Sequence, residues 1–104
     1  GLGEGQRIAN LANLYYVPFA PHMVASLLGA MACAHVCVTV PNFHIMEWQS
    51  YFHTNKMYRE IVIFDEENWV KDSFIKVSEK PGIGIDLNLE AMKKYATPGI
   101  PFFV

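Results

Sequence analysis

From Ile8 to Met46 the chain runs for 39 residues without one Asp, Glu, Lys or Arg. Glu4 and Arg7 precede this run, and the other 16 formal charges lie between Glu47 and Lys94. Such a stretch must be buried on most sides. With 52% hydrophobic and 17% charged residues, the whole 104-residue chain is too apolar for intrinsic disorder. A net charge of −2 with mixed signs leaves no electrostatic footprint for nucleic acid. Length allows one domain at most, and a lone domain of this size needs a more polar exterior than this one has. The apolar half is therefore expected to bury itself against partners outside these residues, with a homo-oligomer as the expected assembly. The first residue is Gly rather than Met, so a fragment or processed product is expected.

A membrane span is the first alternative for the uncharged run, because Met23–Val40 has the minimum length. Pro18, Pro21 and Pro41 bracket it, however, and Ser26, His35 and Thr39 interrupt it. No Lys or Arg cluster flanks it to set an orientation, and no basic leader precedes it. The expectation is no membrane. Cys33 and Cys37 lie four apart with His35 between them, but structural zinc needs a second ligand pair that the sequence lacks. They read as small buried hydrophobes of a reducing compartment, with the cytoplasm as the expected location.

Periodicity predicts a helix over Gly3–Tyr15 that buries Ile8, Leu11, Ala12 and Tyr15. Val17–Ala20 follows as a short apolar strand. Ser26 caps a second helix running to about Val38, apolar nearly all round and so buried on several sides. Pro41 stops that helix, and Phe43–Met46 is the next apolar run. Short strands hydrophobic on both faces and alternating with helices predict a parallel sheet covered by helices, hence the α/β class. The second half reads differently. Ser50–Glu60 is a loop or short helix, while Ile61–Phe64 and Phe74–Val77 are strands with turn chemistry at Asp65–Asn68. Pro81-Gly82 opens a turn, and Asn88 caps a short helix through Tyr95.

In parallel α/β barrels the chemistry sits at the carboxyl ends of the strands. His22 follows the first apolar strand and Glu47 the second. An imidazole titrates near neutrality and exchanges protons at physiological pH. A carboxyl group closing a long uncharged run is expected to be poorly solvated. Together they suit a base and an acid on opposite sides of one substrate. By position alone, a lone His after Pro is more often a satisfied loop histidine, and a lone Glu after a strand more often a solvated terminus or salt-bridge partner. His35, His44 and His53 read as structural or surface residues, and Trp48 suits either a pocket wall or an interface.

Four segments resemble one family. Val17-Pro-Phe-Ala-Pro-His22-Met-Val-Ala-Ser26 is similar to the seventh barrel strand and following turn of the mandelate racemase-like branch of the enolase superfamily. Val40-Pro-Asn-Phe-His-Ile-Met-Glu47-Trp48 is similar to its eighth strand. Gly1-Leu-Gly-Glu-Gly-Gln-Arg7-Ile-Ala resembles the helix before strand seven, and Lys80-Pro-Gly-Ile-Gly-Ile-Asp86 a proline-glycine motif of the C-terminal extension. Among members, sugar-acid dehydratases of the gluconate and galactonate type look most alike.

The resemblance implies the terminal slice of a (β/α) TIM-type barrel with a C-terminal extension. Residues 1–49 would form the last helix-strand-helix-strand units and residues 50–104 the extension. It implies His22 as the general acid/base, Glu47 as an acidic catalytic residue that also binds substrate, and Trp48 as a substrate-binding residue. It implies Mg²⁺, with carboxylate ligands upstream of Gly1 and no metal ligand within the chain. An aldonate substrate, the remainder of the barrel and a capping domain are the implied partners. The implied reaction abstracts the proton α to a carboxylate and eliminates water. A racemase or cycloisomerase of the same superfamily, and a non-catalytic structural or interaction module, are the alternatives. Two departures stand out: the family's metal ligands and the Asp that orients its histidine fall outside the chain, and Leu27-Leu28 replaces an expected proline. The chain alone is expected to be inactive.

Overall fold

The computed structural model describes residues 1–49, 54–63 and 69–102. His53 and the expected turn at 65–68 lie outside them.

Helix α1 spans Leu2–Leu14, with Glu4 in its first turn, where a carboxylate suits the positive end of the helix dipole. It ends without glycine. Tyr16 takes φ +58°, its N–H donates to the carbonyl of Asn13, and that of Val17 reaches back to Ala12, both at 3.0 Å. This left-handed cap satisfies the last carbonyls and turns the chain directly into the first strand segment.

Helix α2 spans Leu27–Cys37, and the Ser26 hydroxyl accepts from the Gly29 N–H, as the sequence predicts. Its lack of a polar face is explained by contact on two sides. Leu27, Ala30 and Met31 join Met23, Val62, Trp69 and Ile85 in one core. Val36 joins Ala9, Val40 and Phe19 in another. Among the described residues no helix is long and apolar enough to cross a membrane.

The stripe predicted to be buried on α1 is not the buried one. Ile8, Leu11 and Tyr15 are exposed, and Ala9 alone is fully buried. The helix meets α2 through small residues: a Cβ placed at Gly5 would lie 3.5 Å from Val36 Cγ1. Gly5 and Ala9 allow the close approach that bulkier side chains forbid.

Phe19 and Phe43 form a parallel bridge. The Phe19 N–H donates to Asn42 O at 2.8 Å and the His44 N–H to Phe19 O at 2.9 Å. The two predicted strands thus pair in parallel, over a shorter length than the apolar runs suggested. Asn42 closes their amino ends, its Nδ2 donating to Ala9 O at 3.0 Å and Val17 O at 2.9 Å.

The remaining elements are α3 (Lys56–Glu60), β1 (Val62–Ile63), β2 (Val70–Lys71), β3 (Phe74–Ile75), β4 (Asp86–Leu87) and α4 (Leu89–Tyr95). Their pairing departs from expectation. β1 pairs antiparallel with β4. β2 and β3 form a hairpin around Asp72-Ser73, both at positive φ, as a type I′ turn requires. Asn88 caps α4 as predicted, accepting from Ala91 N–H at 3.1 Å. Glu60 links α3 to α4 through Tyr95 Oη at 2.6 Å and Lys94 Nζ at 3.1 Å. Gly84 sits at φ +74°, where a Cβ would collide with the Ser78 side chain.

Candidate active site at the carboxyl ends of two parallel strands

His22 and Glu47 meet. Each follows one of the paired segments, and His22 Nε2 lies 3.5 Å from Glu47 Oε2. The backbone sets this spacing. In a regular parallel ladder the next N–H to reach the Pro21 carbonyl would come from residue 46. Here Glu47 donates instead, at 3.2 Å, one residue further along. Pro21 has no N–H to continue the ladder, so the pairing ends where the two side chains begin.

The pair is open to solvent. The His22 side chain is 73% exposed and that of Glu47 47%, so the poor solvation expected of Glu47 is not found within this chain. The reason is geometric: two adjacent strands wall a barrel mouth on one side only. One imidazole and one carboxylate can pass a proton between each other and a bound molecule. They do not make a cation site, because no group of three or more His, Cys, Asp or Glu side chains comes together among the described residues. Mg²⁺ demands near-octahedral coordination, mostly by oxygen. The described residues around His22 and Glu47 therefore do not fit that ion by themselves.

Trp48, the third residue singled out from the sequence, is half-buried. Its ring meets that of Trp69 edge-on, with centroids 5.2 Å apart and planes at 86°. Sequence reasoning missed Trp69, which is 3% exposed and sits in the core beside Met23. Its only sequence signal was an aromatic residue beside an acidic, turn-forming segment. Met46 and Trp48 pack against the same core.

Among the described residues, His35, His44 and the two cysteines lie apart from this pair. His35 Nε2 bonds the carbonyl of Ile83 at 3.2 Å, fastening the proline-glycine loop to α2. His44 is exposed. Both cysteines are free thiols. Burial raises the pKa of Cys33, and burial with the adjacent Cys33 sulfur pushes Cys37 up to about 12. Such thiols are poor nucleophiles.

Parallel strands flanked by helices, with an imidazole and a carboxylate at their carboxyl ends, define a slice of a TIM-type barrel. A profile of the family described as Enolase C-terminal domain-like matches residues 1–92, and the chain belongs to that family. A mandelate racemase/muconate lactonizing enzyme-like protein from Rubrobacter xylanophilus superposes with TM-score 0.84 at 40% identity, over 100% of this chain and 26% of that one. A D-xylonate dehydratase from Haloferax volcanii is 34% identical over 99% of this chain and 24% of its own length. A D-mannonate dehydratase from Novosphingobium aromaticivorans is 36% identical over 91% of this chain and 23% of its own length. The chain thus spans about a quarter of these relatives.

Proposed function

We propose that this chain forms the closing part of a Mg²⁺-dependent sugar-acid dehydratase and carries two of its catalytic groups. The observation behind this reading is the 3.5 Å approach of His22 to Glu47 at the carboxyl ends of adjacent parallel strands. Relatives named as xylonate, mannonate and galactonate dehydratases support the substrate class.

In this reading the C–H bond α to the substrate carboxylate breaks, and its electron pair forms an enediolate. Loss of the β-hydroxyl then gives an enol that becomes the 2-keto-3-deoxy acid. His22 is the general acid/base: the neutral imidazole accepts a proton, and the imidazolium returns one to the departing hydroxyl as water. When Glu47 carries a proton, it donates a hydrogen bond to the developing oxyanion. Trp48, on the same strand end, lines the substrate. Magnesium, held by ligands outside this chain, would supply Lewis-acid stabilisation of the carboxylate. The upstream barrel would cover the exposed α1 stripe of Ile8, Leu11 and Tyr15.

The test is to incubate the complete enzyme with xylonate, mannonate, galactonate and gluconate and to assay for a 2-keto-3-deoxy product. Formation from at least one supports a dehydratase. Exchange of the α-proton with solvent and no elimination would move the reading to a racemase. Turnover by the isolated 104 residues would contradict the need for upstream groups.

A further inference from the structure

His22 and Glu47 lie on different segments, yet each is next to a residue anchored in one core. Met23, after His22, is 4% exposed and belongs to the cluster of Leu27, Met31, Val62, Trp69 and Ile85. Met46 and Trp48, either side of Glu47, pack against that same cluster. Three of its buried members, Val62, Trp69 and Ile85, come from the chain beyond the paired strands. Trp69 is the largest of the three, and its ring meets Trp48 edge-on at 5.2 Å. Its backbone is fixed as well, since the Trp69 carbonyl accepts from Lys76 N–H at 2.9 Å at the base of the β2–β3 hairpin.

The backbone bond from Glu47 to Pro21 sets the distance between the strand ends. One backbone bond leaves open the direction in which the chain runs on from Glu47. Trp48 is the next residue, and it packs against the core with its ring on that of Trp69. We infer that Trp69 is a positioning residue: the β2–β3 hairpin presses its indole on Trp48 and so keeps the Glu47 carboxylate within reach of His22. This rests on the dehydratase reading for its kinetic consequence, and on geometry alone for its structural one. Edge-to-face aromatic pairs are stabilised by the ring quadrupole beyond the area they bury, which makes the contact directional. Displacing a catalytic group by about 1 Å through a remote change can cost about a hundredfold in rate.

The experiment uses the complete enzyme with Trp69→Leu, Trp69→Phe and Val36→Ala. Val36 thins the other core, which includes neither Met23 nor Trp48, and controls for lost stability. Crystal structures of the two Trp69 variants report the position of Glu47 without any substrate. The expected result is a Glu47 carboxylate beyond ion-pair distance of His22 in Trp69→Leu and in place in Trp69→Phe. With the aldonate that is turned over, kcat should fall about tenfold or more in Trp69→Leu at little-changed KM. It should recover in Trp69→Phe, and the loss should vanish when Glu47→Gln is already present.

An unmoved Glu47 in Trp69→Leu overturns the inference. So does a fall in kcat that Val36→Ala reproduces in proportion to its loss of stability. If Trp69→Leu does not fold, Trp48→Leu removes the same contact from the half-buried side and is judged by the same Glu47 position. A wild-type enzyme inactive on every aldonate defeats the dehydratase reading alone, because the crystallographic outcome stands without it.

Discussion

The Glu47 amide donates to the carbonyl of Pro21 at 3.2 Å, so the residue before His22 is bonded to Glu47 itself. The main chain, not the side-chain ion pair, brings the two groups together. When His22 is protonated, an ion pair this exposed contributes about 0–1 kcal/mol. Glu47→Gln should therefore leave thermal unfolding nearly unchanged, with a shift below about 1 kcal/mol in a urea titration. A larger loss would show that the side chains hold the strands.

Tyr16 occupies the left-handed region at φ +58° and is 95% exposed. A side chain there strains the backbone and forms little contact in return. Tyr16→Gly should stabilise the protein by about 1 kcal/mol, because glycine adopts this conformation without a Cβ clash. Urea unfolding of the two proteins measures it, and a destabilised variant would contradict the cap described for α1.

Asn42 ties α1, the first strand segment and the second together through two donated hydrogen bonds. Asn42→Ala should cost about 2 kcal/mol, roughly 1 for each bond lost. Among the described residues the buried Oδ1 has no hydrogen-bond partner, and Asn42→Asp keeps the shape, removes both donors and sets a carboxylate against two carbonyls. It should be the worse of the two. Equal stabilities for the three proteins would rule out the clamp.

Glu60 gives the protein an acid limb. Hydrogen bonds from Tyr95 and then Lys94 lower its pKa from 4.5 to about 2. The folded state therefore favours the carboxylate more than the unfolded state does, and the stabilisation is complete above about pH 4.5. It is lost as pH falls towards 2. Glu60→Gln should narrow the gap in melting temperature between pH 6 and pH 2, and an unchanged gap would show that Glu60 contributes nothing to acid sensitivity.

What was legible in the sequence was local or forced by hydropathy. Ser26 and Asn88 are caps because their side chains bond amides three residues on, an interaction written within one turn. The apolar circumference of α2 required contact on two sides, and the short apolar runs required parallel pairing. The buried face of α1 was not legible, because two stripes compete and the narrow one of Gly5 and Ala9 is chosen by the shape of α2. Nor was the partner of β1, which lies more than twenty residues away in β4, or the Asp72-Ser73 turn, whose positive φ values carry no glycine signal. His22 and Glu47 were singled out from their places at strand ends and from family resemblance, and the structure adds their approach to 3.5 Å. Trp69 was not, since its relation to Trp48 exists only once the hairpin has folded back.

The proposed reaction depends on proton transfer by His22 and Glu47 acting as one unit. Its most direct test is the rate of 2-keto-3-deoxy acid formation by the complete enzyme carrying His22→Asn, Glu47→Gln or both, on its fastest aldonate. Each single variant should lose about a hundredfold or more in kcat, and the double variant should be little worse than the poorer single one. A wild-type rate in either single variant, or losses that multiply in the double one, would contradict it.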